Sequence, residues 1–370
     1  MKGSYLKTEE GAQLFACLAE ADPEAALKAL KKTVGAWSKD ELLQFDIGRR
    51  QVVWALEKIA VWGKLFQDAA RLLLVLGEAE NENWGNNASG IFVGLFSPAY
   101  GQVAPTECPP QKRFVVLKEA MESDSQERRK LALRACSTAL ETDHFSRMVG
   151  AEHQGLRKEP QLWMPKTYGE LFDAYSLIWN YLYSQIVILK DKEKEEAINI
   201  ILNRAKGVGR IPALAQMALD TVKDLKSKPY VDKKKMLKEI ISFLHYRSSE
   251  LPVGIRQQWG HLRDELTGND FSSLMNRYVA MDVFEDNFDD NGQQVNQAQP
   301  KIEELASQAI KNKELLKKEL LWLVTAEAES GYRFGYELGK RDDDFSLMPY
   351  LLEAQKKLIK ILASFFWEDI

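Results

Sequence analysis

Three observations make this chain an all-α protein, an α-solenoid of stacked helical hairpins. Apolar residues recur with the 3.6-residue period of a helix, strand-like alternation is nearly absent, and helical stretches come in pairs divided by short breaks. In the clearest stretch Ile211, Leu214, Ala215, Ala218, Val222 and Leu225 fall on one face. Met236, Leu237, Ile240, Ile241 and Leu244 repeat the pattern beyond a turn containing Pro229, which cannot continue a helix.

The same grammar runs along the chain. Pairs of helices are expected over 11–37, 47–76, 114–140, 193–225 and 315–362. The third pair is the best marked, with a helix from Phe114 to Met121, capping residues at Ser123-Asp124-Ser125, and a second helix from Glu127 to Leu140. No strict consensus links the pairs, so the repeats are degenerate and HEAT- or TPR-like. A run such as Leu72, Leu73, Leu74, Val75 and Leu76 is apolar on more than one helical face. A lone hairpin could not hide it from water, and neighbouring pairs must cover it.

Three stretches break the pattern. Residues 81–111 are rich in Asn and Gly and end in Pro109-Pro110, residues 142–166 hold two histidines, and residues 281–300 are acidic and rich in Gln and Asn. Long irregular segments between packed helices tend to carry function or remain mobile. The third is expected to be a linker between a helical-repeat block at 1–280 and another at 301–370. The apolar run from Leu351 to Trp367 ends without a polar cap, and the expectation is a piece of a longer parent chain.

Composition excludes several classes. The 50 basic residues are balanced by 54 acidic ones for a net charge of -4, which disfavours nucleic acid as a partner. Cys17, Cys108 and Cys136 have no disulfide or zinc spacing. With no leader and no run of about 18 apolar residues, a cytoplasmic location and no membrane partner are expected.

Each chemical motif has a plainer reading. Asp143, His144, Glu152 and His153 could hold a transition metal, but their spacing matches no zinc motif. Asn287, Asp289, Asn291 and Gly292 imitate the start of a calcium loop that fails at Ala298, where a bidentate Glu is required. Gly207-Val208-Gly209-Arg210 lacks the features of a nucleotide loop and reads as a turn between helices. The lysines from Lys223 to Lys235 are diluted by Asp220, Asp224 and Asp232 and read as a solvated face. No cofactor, metal or catalytic constellation is expected.

Two segments carry a family resemblance: Gly48-Arg49-Arg50-Gln51-Val52-Val53-Trp54-Ala55-Leu56-Glu57, and Leu76-Gly77-Glu78-Ala79-Glu80-Asn81-Glu82-Asn83-Trp84-Gly85-Asn86-Asn87. With His144-Phe145-Ser146-Arg147, the run from Glu152 to Arg157 and the run from Phe334 to Asp342, they resemble parts of large bacterial P-loop NTPases of the STAND class. The resemblance implies a C-terminal α-solenoid sensor region, downstream of an ATPase and an effector, in proteins linked to antiphage defence. This chain contains no Walker A loop, so nucleotide-driven oligomerisation would belong to the rest of a parent chain.

The expected function is a non-catalytic sensor that recognises a protein ligand, a phage protein being the one the resemblance implies. The alternatives are a free-standing scaffold for protein complexes and, third, a metal-dependent enzyme built on 142–166. The expected partner-binding residues are Arg49, Arg50, Trp84, His144, Arg147, His153, Arg157 and Trp163, with Trp84 and Trp163 the tryptophans placed at an interface. Their competing role is structural, with arginines pairing carboxylates between repeats.

Overall fold

A computed structural model describes residues 3–145, 151–155, 157–247, 251–281, 286–288, 294–296, 298–325 and 328–356. The fold is all-α, apart from a short antiparallel pair in which Asp286–Phe288 faces Gln294–Asn296. The chain forms two compact units, Met1–Val222 and Lys223–Ile370. No helix among the described residues is long and apolar enough to cross a membrane.

The first unit opens with α1 (Glu9–Ala21) and α2 (Pro23–Lys32), followed by the short α3 (Lys39–Leu43). Then come α4 (Arg49–Val61), α5 (Phe66–Glu78), α6 (Ala88–Gly94), α7 (Pro110–Met121), α8 (Gln126–Ala139), α9 (Tyr168–Gln185) and α10 (Asp191–Val208). Local chemistry sets the starts. Thr8, Asp22, Asn87, Ser125 and Thr167 each accept a hydrogen bond from a first-turn amide, and Ser38 and Glu41 form a reciprocal capping box.

Packing follows chain order, as a solenoid requires. α1 lies on α2 and α4, α4 on α5, and α5 on α6, α7 and α8. Next, α8 packs on α7, α9 and α10, and α9 on α10. The run at 72–76 sits where the most neighbours meet: Leu72, Leu73, Leu74 and Leu76 are all buried, which explains why α5 is apolar on more than one face. Ion pairs join helices that are not consecutive in the chain, with Lys31 of α2 to Asp68 of α5, Arg71 of α5 to Glu119 of α7 through two hydrogen bonds, Arg128 of α8 to Glu78 of α5 and Arg129 of α8 to Glu193 of α10. Arginines thus do pair carboxylates between helices, and of the arginines expected to bind a partner Arg49 lies against the Glu80 carboxylate. Gly209 caps α10, so the 207–210 glycines form a helix end.

The next helix, α11 (Ala215–Lys226), carries the predicted stripe with Leu214, Ala215, Ala218, Val222 and Leu225 buried. The second unit contains α12 (Lys233–Arg247), α13 (Val253–Thr267), α14 (Phe271–Tyr278), α15 (Ala298–Lys311), α16 (Lys313–Leu323) and α17 (Gly331–Gly339), with helical backbone again at 348–356. The stretch from 315 onward is therefore divided more finely than the single pair expected there. The 281–300 stretch lies inside this unit. Met275, Tyr278 and Val279 before it and Met281 at its start share one core with Ile302, Leu305 and Ala306 after it, because each apolar stripe covers the other. Asp289, Asn291, Gly292 and the end of the C-terminal apolar run, from Leu358 to Trp367, lie outside the described residues.

Candidate functional site

The 81–111 stretch builds an exposed turn and one side of a cleft on the first unit. Its Asn and Gly content is turn chemistry. Asn81 Nδ2 donates to the carbonyls of Leu43 and Phe45, Asn87 Nδ2 donates to the Glu82 carbonyl, and Asn87 Oδ1 caps α6 at the Gly90 amide, 2.8 Å away. Glu80 accepts from the Ser89 amide at 2.8 Å. These bonds hold the turn that carries Trp84, whose residue surface is 55% exposed. An indole presented this way needs little further ordering to bind.

Arg50 stands beneath it. Its guanidinium lies 4.8 Å from the Trp84 ring and 5.9 Å from the Trp54 ring, within cation–π range of both. Arg50, Trp54 and Glu57 follow one another at helical spacing on α4, on the side away from the buried Val52, Val53, Leu56 and Ile59. Next to this array a cleft of about 460 Å³ runs along α6, with Glu57 at one wall and Thr138 and Glu141, at the end of α8, at another. Gly85, Gly90 and Gly94 also line it. A Cβ on Gly90 would lie 1.9 Å from the Gly85 carbonyl oxygen, so the close return of the turn onto α6 needs glycine there. A Cβ on Gly94 would meet nothing within 4 Å and would project into open space.

The remaining expected site residues scatter. Arg49, adjacent to Arg50, is fully buried: its guanidinium donates to the carbonyls of Leu42, Leu76 and Ala79 and lies 3.5 Å from a Glu80 carboxylate oxygen. Burial lowers its pKa, and Glu80 acts in the opposite direction. It ties α4 to the ends of α3 and α5 and offers nothing to a partner. Trp163 is likewise buried, a correction to its expected place at an interface. Its backbone exchanges bonds with Gly101 and Thr106, and its ring lies 5.6 Å from the Arg113 guanidinium. Arg113 is itself buried, held by the carbonyls of Cys108, Leu95 and Ser97, with its pKa pushed down to about 10 by burial.

Arg157 donates to the Ala21 carbonyl and covers the Trp62 ring at 5.5 Å, which fastens its loop to the first helices. The residue that does most of this was not singled out. Gln154, buried, donates to the carbonyls of Lys58 and Ala151 and accepts from the Trp62 indole N–H. His144 is exposed with a φ of 56°, and His153 is exposed beside Glu152 at 3.9 Å. Asp143 is paired with Arg210. No group of three or more His, Cys, Asp or Glu among the described residues is placed to hold a metal ion. Arg147 lies outside the described residues.

Of the seven expected residues that are described, the structure brings together Arg50 and Trp84, and it adds Trp54, Glu57, Glu141 and the α6 glycines. Trp54 and Glu57 had a signal in the sequence, their position opposite the apolar stripe of α4. Glu141 had none, since it reaches the cleft only through packing of α6 on α8. The chain matches no known protein family, no curated protein and no solved structure.

Proposed function

We propose that the chain is a non-catalytic protein-recognition module, the ligand-sensing region of a bacterial antiphage-defence NTPase, and that the Arg50–Trp54–Trp84 array with its cleft is the recognition surface. The observation that carries this reading is Trp84, more than half exposed on a turn fixed by side-chain hydrogen bonds and stacked on an arginine. Tryptophan and arginine dominate the binding energy of protein interfaces, and here they flank a concavity that could seat a partner's side chain. The defence role rests on the resemblance of 48–57 and 76–87 to STAND-class proteins, and a HEAT- or TPR-like ancestry of the hairpins fits the same reading.

The test uses the full chain immobilised and exposed to lysates of infected and uninfected bacteria, beside Trp84→Ala and Gly94→Phe. Gly94→Phe blocks the cleft from a position where an added Cβ touches nothing. The expected outcome is a phage protein retained by the wild type after infection and lost from both variants at unchanged thermal stability. Host proteins retained equally from both lysates would favour a scaffold, and retention indifferent to both variants would remove this surface from the function.

A further inference from the structure

The helical segment at 348–356, in the second unit, carries an apolar face that its own core does not use. Ala354 and the preceding Leu347 are buried in the core that also holds Phe334 and Leu338, and Leu351 packs against it. Met348 and Leu352 lie on another face and are exposed, at 46% and 48%. They stand four residues apart and form one ridge, with Lys356 a further four residues on and Asp344 four residues before.

Phe345 stands at the start of this ridge. The residue is 70% exposed and its φ is 54°, a left-handed conformation that a bulky side chain avoids unless its neighbours impose it. Asp342 imposes it. The Asp342 carboxylate accepts from the Ser346 hydroxyl at 2.9 Å and from the Leu347 amide at 3.0 Å, and its carbonyl accepts from the Phe345 amide at 3.0 Å. A phenyl ring held in solvent on strained backbone, in line with two further apolar side chains, marks a surface that something covers.

Charge at the two ends of the ridge identifies the cover. Asp344 and Lys356 are both exposed, and neither forms an ion pair among the described residues. Hydrogen bonds from Ser346, and more weakly the charge of Lys313, hold the Asp344 carboxyl below its ordinary range, so it is ionised at neutral pH. A second copy laid antiparallel along the ridge sets Met348 against the copy's Leu352 and Asp344 against the copy's Lys356, each twice over by symmetry. A copy laid parallel would set acid on acid and base on base.

We infer that this ridge is the interface of a homodimer, in which two copies of the chain pair antiparallel across Met348 and Leu352 with Phe345 at each end. The inference concerns the second unit alone and is independent of the recognition reading. Three apolar side chains from each copy make an interface well below the standard of about 1,600 Å², so the dimer is a weak one that forms as concentration rises.

The experiment is sedimentation equilibrium of the full chain from about 1 to about 300 µM, where a monomer–dimer equilibrium is expected. Lys356→Glu and Asp344→Lys should each weaken it about tenfold by turning two attractions into two repulsions, and the chain carrying both should recover the wild-type constant. Leu352→Glu should abolish dimerisation at unchanged thermal stability, because Leu352 is exposed in the single chain. Lys356→Glu breaks no ion pair among the described residues, which keeps the test decisive should Asp344→Lys loosen the Ser346 turn. A chain that stays monomeric throughout overturns the inference. If Leu352→Glu then also lowers its thermal stability, residues of the same chain cover the ridge. Association indifferent to Lys356→Glu and Leu352→Glu overturns it too, as does a double exchange that is stable but associates no better than the single variants.

Discussion

The two irregular stretches of the first unit, 81–111 and 142–166, resemble each other as sequence, for each is long, polar and marked by a tryptophan. In the structure they have opposite roles. The first uses its asparagines to hold Trp84 out into solvent and lays α6 along a cleft. The second is a strap: Gln154 and Arg157 bind it to α1 and α4, and Trp163 is buried between Gly101, Thr106 and Arg113. Glu107 joins the two, accepting from the Gly63 amide with one carboxylate oxygen and from the Gln161 amide with the other. The difference shows that an irregular segment with a tryptophan can be either a binding surface or a clamp that keeps such a surface in place. What separates them is burial: each indole lies on an arginine, but the fold closes over Trp163 and leaves Trp84 in solvent.

That contrast can be broken by mutation, and the largest effect is expected at Trp163. Trp163→Ala should destabilise the first unit by about 3–5 kcal/mol, from the lost burial and the exposed guanidinium of Arg113. Trp84→Ala should stay within about 0.5 kcal/mol of wild type. Denaturant unfolding of both variants reads the difference, and equal losses would erase the distinction between surface and clamp. A smaller effect is expected at Gln154. Gln154→Ala leaves the Lys58 carbonyl and the Trp62 indole without their bonds, and should cost about 1–3 kcal/mol. Amide exchange should rise in 151–163 and leave 81–97 unchanged, and a rise confined to 81–97 would contradict the strap assignment.

The smallest effect concerns the ion pairs between helices, formed by residues outside both stretches. Hydrogen bonds from Arg71 hold the Glu119 carboxyl below its ordinary 4.5, and Lys31 chiefly holds Asp68 below 3.8. Carboxylates depressed in the folded state contribute stability that is present above their unfolded values and lost as pH falls through the folded ones. Both pairs are about half exposed, so the contribution is discounted to less than about 1 kcal/mol. Comparing wild type with Arg71→Gln, the gap in unfolding free energy should be constant above pH 4.5 and close below it. No gap above pH 4.5 would show the pair to be unimportant to the fold, and a gap that widens in acid would show that Arg71 acts otherwise than through the Glu119 carboxylate.

Much of the fold was legible in the sequence because it depends on neighbours within about four residues. The stripe from Leu214 to Leu225 is buried as its period requires, the hairpin of α7 and α8 turns at the Ser125 cap, and the 72–76 run of α5 is apolar on more than one face because several helices pack on it. The exposure of Trp84 was not separable in this way, since Trp163 carried the same signal, an indole in an irregular stretch, and is buried. Tertiary structure decided the rest. Arg49 and Arg50 are indistinguishable by type and adjacent in the chain, yet one bonds three carbonyls in the core and the other stacks on exposed indoles. Which way each points depends on where α3, α5 and the 81–87 turn come to rest. Glu57 and Glu141 share a cleft only because α6 packs against α8. Helical period and capping are local properties that the sequence spells directly, whereas a cleft is made by surfaces that meet across long stretches of chain.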